Sequence, residues 1–250
     1  MKYKALFLDL DGTTVPSTLD GMPSERVRDA IHRAKSRVFV CIATSRPLAH
    51  ARPVIDHLDI RGLCAVNDAT QIYDPVKKEI VETISMNKKD VTAASAFLTA
   101  RNISFLINTG EGESEYQSGQ RYPKVCSIAI PDISESLADQ IIDRMSDIST
   151  VAAHKIFSYK KGYYWVAITH VTATKLHGVS RIAELLGVKT EEMVGVGDGY
   201  NDYPLLSACG LKIAMGNAAE ELKAIADFIA PSVDEDGVAT VIEKFILSSS

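Results

Sequence analysis

The chain has 250 residues, of which 46% are hydrophobic and 24% charged. At about 150 residues per domain it has room for one large or two small domains, with cores that need no disulfide or metal staple. Its 27 Lys and Arg against 32 Asp and Glu leave a net charge of −5, which makes it a poor candidate for sequence-independent nucleic-acid binding, with its need for a basic face, but does not exclude an anionic small substrate held by a few local cations or a metal.

No run of about 18 apolar residues occurs, so no membrane span is expected. Near the N-terminus Lys2 and Lys4 precede the apolar run Ala5–Leu8, and Asp9 and Asp11 interrupt it too early for a signal peptide. Cys41, Cys64, Cys126 and Cys209 are scattered, without a C-x-x-C pair, in or beside apolar stretches. They read as buried free thiols in a reducing compartment, with the cytoplasm as the default location.

In chain order, Tyr3–Leu10 reads as a short apolar strand ending in Asp9-Leu10-Asp11-Gly12-Thr13-Thr14. Ser24–Lys35 has helical spacing in Val27, Ala30, Ile31 and Ala34, with Ser24 as N-cap. Val38–Ala43 reads as a strand buried on both faces, stopped by Thr44-Ser45-Arg46, with Pro47 placed to open a helix. Leu63–Val66 is a further apolar run that ends at Asn67-Asp68. This order of strands and helices predicts a parallel sheet with helical crossovers.

The middle of the chain differs. Val91–Arg101 and Ser134–Ser146 are helical in pattern, and Ile103–Asn108 and Val125–Ile130 strand-like. Ala152–Ser158 and Tyr163–Thr169 flank the hairpin turn Lys160-Lys161-Gly162, and the glycine- and glutamate-rich stretch Thr109–Gly119 reads as a surface loop. The parallel pattern then resumes with the amphipathic segment Thr174–Leu186, closed by Gly187. Met193–Val196 runs into Gly197-Asp198-Gly199, followed by helix Asp202–Ala208, strand Leu211–Ala214 and helices Ala219–Ala226 and Val238–Leu247. The expected fold class is therefore α/β, a Rossmann-like parallel-sheet core of residues 1–81 and 172–250 with an inserted α+β unit of residues 82–171.

In an open α/β sheet, ligands bind beyond the carboxyl ends of the strands. Three expected strands deliver polar residues there: Asp9 and Asp11, Thr44, and Asp198. Carboxylates clustered without cations repel one another, and hard oxygen ligands of this kind suit Mg²⁺. Such a site leaves positions for a phosphate, and an Asp can itself accept a phosphoryl group. Asp9 is placed to attack phosphorus and Asp11 to handle the leaving-group proton. Gly12 permits a sharp turn that offers amides to an anion. Thr44 supplies a hydroxyl at a helix start. Lys175 is a cation at a helix start, where the dipole disfavours it, so it is expected to counter a phosphate or the carboxylates.

Asp9-Leu10-Asp11-Gly12-Thr13 resembles the first motif of the haloacid dehalogenase-like hydrolase superfamily. Thr44 matches the second motif, Lys175 the third, and Gly197-Asp198-Gly199-Tyr200-Asn201-Asp202 the fourth. A unit inserted between the second and third motifs is similar to the Cof-type branch with a large α/β cap. Ala214-Met215-Gly216-Asn217-Ala218 and Asp236-Gly237-Val238-Ala239 also resemble that branch. The middle unit matches in position and element order only.

The resemblance implies a Mg²⁺-dependent phosphatase of small phosphorylated metabolites, sugar phosphates foremost, working through an aspartyl-phosphate. Asp9 would be the nucleophile and a metal ligand, and Asp11 the general acid/base with its backbone carbonyl toward the metal. Asp198 would be a metal ligand, and Asp202 would support the metal directly or through water. Thr44 and Lys175 would bind phosphate, and Asn201 would orient Lys175 or substrate. Gly12, Ser45 and Arg46 complete the expected phosphate and substrate surroundings, with Arg46 meeting substrate or pairing with a surface acid. A phosphomutase or phosphotransferase would use the same aspartyl-phosphate, and a non-catalytic binding protein the same pocket; the core motifs do not separate these.

Ser45 stands where glycine is usual in that superfamily, and Asp68 where an Asn-Gly pair is common. The six histidines lack metal-ligand spacing and read as structural or solvated. Arg121-Tyr122-Pro123-Lys124 reads as a surface turn, and Trp165 with its neighbouring tyrosines as internal packing of the middle unit.

Overall fold

Short apolar runs separated by amphipathic helices build the first half of a large sheet. The computed structural model describes residues 2–18 and 20–248. Strand β1 (Ala5–Leu8) is buried at every residue. It leads through α1 (Glu25–Ala34) to β2 (Phe39–Ala43), and through α2 (Leu48–His57) to β3 (Cys64–Val66). Ser24 caps α1 as its position suggests, its hydroxyl accepting from the Val27 N–H at 3.1 Å. The hairpin β4 (Gln71–Asp74) and β5 (Glu79–Thr83) then extends the sheet antiparallel.

The middle unit runs α3 (Lys88–Thr99), β6 (Leu106–Asn108), β7 (Glu113–Glu115), β8 (Ser127–Ile133), α4 (Glu135–Ser146), β9 (Val151–Phe157) and β10 (Tyr164–His170). Its five strands form a separate antiparallel sheet in the order β7-β6-β8-β10-β9. Ala94 and Leu98 of α3 share one core with Ile141 and Met145 of α4 and with Ile107, Ile128, Val166 and Ile168 of the strands.

The chain returns to the first sheet with α5 (Lys175–Leu186), β11 (Met193–Gly197), α6 (Tyr203–Ser207), β12 (Leu211–Ala214), α7 (Glu220–Lys223), β13 (Phe228–Ile229) and α8 (Gly237–Ile242). Gly187 ends α5 in the left-handed region at φ +66°. The strand order is β13-β12-β11-β1-β2-β3-β4-β5, parallel from β13 to β3. Helices α1 and α8 pack together, as do α5 and α6. All four cysteines are buried as free thiols. Among the described residues no helix is long and apolar enough to cross a membrane.

Five details differ from the sequence expectation. The β4–β5 hairpin is additional, its turn held by Asp74 Oδ1, which accepts from the N–H groups of Val76 and Lys77 at 2.9 and 3.0 Å. The expected boundary at residue 82 falls inside β5, because Glu82 pairs with Ile72. Thr109–Gly119 is not all loop, since Glu113–Glu115 pairs with β6 as an exposed edge strand. Helix Ala219–Ala226 shortens to α7 because Asp227 turns the chain back onto Lys212, starting β13. The last expected helix continues beyond Ile242 as a π-helical turn, Glu243–Leu247.

Candidate active site

Parallel β1 lies between β2 and β11, and the chain winds outward from it on both sides. This is the sheet's topological switch point. Leu8 is level with Ile42 on one neighbour and Val196 on the other. The residues that follow, Asp9, Thr44 and Asp198, are therefore delivered to one edge. Lys175 opens α5, whose start is fixed by its N-cap Thr174.

Asp9, Asp198 and Asp202 are all buried, and each offers a carboxylate oxygen within 4.8 Å of the others. The Lys175 ammonium sits between two of them, donating to Asp9 Oδ1 at 2.6 Å and to Asp202 Oδ1 at 2.5 Å. The second oxygen of Asp202 accepts from the backbone N–H groups of Asp198 and Gly199 at 3.0 and 2.9 Å. Asp202 thus ties Lys175 to the loop that carries Asp198.

Burial pushes the Asp9 carboxyl up to about 7, with Asp202 adding to the rise and Lys175 opposing it. Burial, then Asp9 and Asp202, raise Asp198 well above the usual carboxylate range. Burial alone would lower Lys175, but Asp202 and Asp9 outweigh it and hold the ammonium charged. Once ionised, three buried acids outnumber the one lysine, and this all-oxygen set fits a hard divalent cation that would take the place of their protons.

The Asp11 side chain lies outside this triad. Arg46 holds it through two hydrogen bonds, and Tyr159 of the β9–β10 turn donates to its Oδ1 at 3.2 Å. Arg46 therefore pairs with a cavity acid, and not with a surface acid. Asn201 does not reach Lys175; its Nδ2 donates to Ser45 Oγ at 3.0 Å. The Thr44 hydroxyl accepts from the Arg46 N–H at 3.1 Å.

Gly12 has φ +75°, and a Cβ there would collide with the Asp198 carboxylate. Thr13 Oγ1 donates to Asp198 Oδ1 at 2.9 Å, locking the loop after β1 onto the loop after β11. Asn217 Nδ2 adds a bond to the Gly12 carbonyl at 2.8 Å. Its segment was noticed in the sequence, but nothing there assigned the side chain this tie.

These residues open into a cavity of about 220 Å³. The sheet edge supplies Asp9, Asp11, Thr44, Asp68, Asp198 and Asn201, among others. The facing unit supplies Ile156, Phe157, Tyr159, Trp165 and Val166, with Glu113 as an acid. Trp165 is thus a cavity wall, not simply internal packing, and its Nε1–H donates to Asp132 at 3.2 Å. Phe157 packs on Tyr200 with ring centroids 5.2 Å apart, a second contact between the two units. His50 lines the cavity, and His154 lies 3.9 Å from Asp68.

The fold is that of an α/β enzyme with its polar residues gathered at the switch point of a parallel sheet. A family model for the haloacid dehalogenase-like hydrolases matches residues 6–118 and 111–242, and the chain belongs to that family. The 5-amino-6-(5-phospho-D-ribitylamino)uracil phosphatase YwtE of Bacillus subtilis is 26% identical over 286 residues, covering 97% of this chain and 98% of the relative. Two solved structures share the fold at 20% identity. A haloacid dehalogenase-like hydrolase from Bacillus subtilis has a TM-score of 0.85 and covers 97% of this chain and 99% of its own. A phosphatase of the superfamily from Bacteroides thetaiotaomicron has a TM-score of 0.81 and covers 97% and 95%.

Proposed function

We propose that the chain is a Mg²⁺-dependent phosphatase that hydrolyses monoesters of small phosphorylated metabolites, sugar phosphates foremost, through an aspartyl-phosphate on Asp9. The observation that carries this reading is the buried triad of Asp9, Asp198 and Asp202 with Lys175 wedged into it, at the edge of one cavity. Relatives named as phosphatases support it, among them one whose named substrate joins a phosphorylated polyol to a heteroaromatic ring.

Asp9, Asp198 and the backbone carbonyl of Asp11 would hold the cation, with Asp202 supporting them. Mg²⁺, when bound, supplies positive charge against the phosphate oxygens and the carboxylates. Lys175 fixes Asp9 Oδ1, leaving Oδ2 to attack phosphorus. The Asp9 O–P bond forms, the ester P–O bond breaks, and Asp11 gives its proton to the departing alkoxide. Asp11 then takes a proton from water, whose oxygen attacks phosphorus and releases phosphate from Asp9. Thr44 and Lys175, with Gly12 and Ser45, surround the phosphate.

Residues 84–171 form the cap in this reading. They close the cavity with Tyr159, Phe157 and Trp165, exclude water and set specificity. Four buried free thiols support a reducing, cytoplasmic setting.

The test is Asp9→Asn with p-nitrophenyl phosphate and Mg²⁺. A loss of about a thousandfold or more in kcat is expected, since an amide cannot form the acyl phosphate. Activity near that of the wild type removes the covalent mechanism.

A further inference from the structure

Strand β3 is followed by three consecutive residues in the left-handed region: Asn67 at φ +56°, Asp68 at +55° and Ala69 at +58°. Side chains with a Cβ seldom occupy that region in succession, whereas glycine sits there without strain. Strain of this kind persists where the surroundings enforce it, and it gathers at ligand clamps. Here the Asn67 N–H donates to the Arg46 carbonyl at 2.8 Å and the Asp68 N–H to the Ser45 carbonyl at 3.3 Å.

This turn places Asp68 in the cavity wall, where the residue is only 7% exposed. Its Oδ1 has no hydrogen-bond partner among the described residues. The hydroxyls of Ser45 and Ser127 lie close enough to ease the burial of the carboxyl, but neither meets that oxygen in hydrogen-bond geometry. His154 Nε2 is 3.9 Å from Oδ1. Burial, then Lys175, push that imidazole down to about 4, so it carries no counter-charge near neutrality. Glu113 lines the same cavity and adds a second acid. A buried carboxylate oxygen without donor or cation is costly, and a ligand donor would relieve it.

We propose that Asp68 is a specificity-determining residue whose carboxylate accepts hydrogen bonds from hydroxyl or ammonium groups on the leaving group, so that the enzyme favours donor-bearing phosphate esters over apolar ones. The inference rests on the phosphatase reading of the same site. Asp9 and Asp68 line one cavity, so an ester seated at Asp9 lays its alcohol portion between Asp68 and the apolar wall of Trp165, Phe157 and Val166. Donors meet the acid on one side, and carbon faces meet the aromatics on the other.

The experiment is steady-state kinetics of wild type, Asp68→Gly and Asp68→Asn with Mg²⁺ at pH 8, where Asp68 is ionised. The esters are glucose 6-phosphate and glycerol 3-phosphate, with hydroxyl donors, glucosamine 6-phosphate, with an ammonium, and p-nitrophenyl phosphate, with none. Glycine suits a φ of +55°, and asparagine keeps the side-chain shape while removing its charge. The kcat/KM ratio of the best donor-bearing ester to p-nitrophenyl phosphate should fall about 10- to 100-fold in Asp68→Gly, chiefly through KM, and less in Asp68→Asn. A larger loss with glucosamine 6-phosphate than with glucose 6-phosphate assigns the donor to an ammonium; equal losses assign it to hydroxyls. A ratio within about threefold of wild type in both variants overturns the role of Asp68 and leaves the phosphatase reading standing. A wild type that prefers p-nitrophenyl phosphate to every donor-bearing ester overturns it as well. A wild type that hydrolyses none of the four overturns both.

Discussion

Arg46 grips Asp11 with both arms of its guanidinium, Nε to Oδ2 at 2.8 Å and Nη2 to Oδ1 at 2.6 Å. The arginine is nearly buried and the aspartate about a quarter exposed, so the pair sits at the cavity mouth. A fork of this geometry fixes the plane of the carboxylate as well as its position.

Losing that fork should therefore cost turnover. Arg46→Ala is expected to lower kcat about 100-fold by letting Asp11 swing away from the ester oxygen. Arg46→Lys, with charge but no fork, should recover only part of it. Kinetics on p-nitrophenyl phosphate check this, and a kcat within a few-fold of wild type for Arg46→Ala would show that Asp11 needs no such guide.

Lys175 is the sole ammonium bonded between Asp9 and Asp202 among the described residues. Lys175→Met should destabilise the metal-free chain by about 3–5 kcal/mol, because it strands two buried acids. Mg²⁺ should raise the Tm of this variant by more than it raises that of wild type, since the cation replaces the missing charge. Thermal melts with EDTA and with Mg²⁺ test the pair of statements, and equal Mg²⁺ shifts would contradict the second.

Removing divalent ions should abolish hydrolysis, and Mg²⁺ should restore it. Burial and mutual repulsion hold Asp9 at about 7 and lift Asp198 well above the usual carboxylate range, so the ion must displace protons as it binds. Calorimetry of Mg²⁺ binding near pH 6.5, in buffers of different ionisation enthalpy, should register net proton release. A heat independent of buffer would argue against the carboxylate site.

Asp68 predicts a pH dependence of stability. Burial raises its carboxyl from 3.8 to about 7, the Ser45 hydroxyl opposing the rise, Glu113 adding to it and Lys175 opposing it. Between those values the native chain keeps a proton that the unfolded chain has released, so stability falls as pH climbs through that window. At about 1.4 kcal/mol per unit the cost reaches about 4 kcal/mol by pH 8. His154, held neutral down to about 4, costs stability in the opposite direction, as pH falls below its ordinary value. The Tm of Asp68→Asn minus that of wild type, both metal-free, should grow from pH 5 to pH 8. A constant difference would mean that Asp68 is not held protonated.

The parts most legible in the sequence were those written in strand ends. Ala5–Leu8 and Met193–Val196 are buried runs, and acids directly after them have few structural uses. Ser24 and Gly187 marked helix ends by chemistry that local geometry then required. The β4–β5 hairpin was not legible, because β5 is half exposed and its turn uses Lys78 at φ +59° instead of a glycine. Tyr159 and Trp165 could not be placed from sequence, since their partners Asp11 and the cavity come from the other unit. Asn201 is expected from the motif to orient Lys175 or substrate; the turn after β11 aims it at Ser45 instead of Lys175 and keeps it in the cavity wall.

The flanking strands of β1 reach it at very different times. The hydrogen bond from Thr13 to Asp198 spans 185 positions, and Lys175 also follows the whole second unit. During synthesis β1 can pair early with β2, but its other edge stays bare until β11 has left the ribosome. A nascent or prematurely terminated chain therefore carries Asp9 without its lysine or its companion acids, so competence arrives late and all at once.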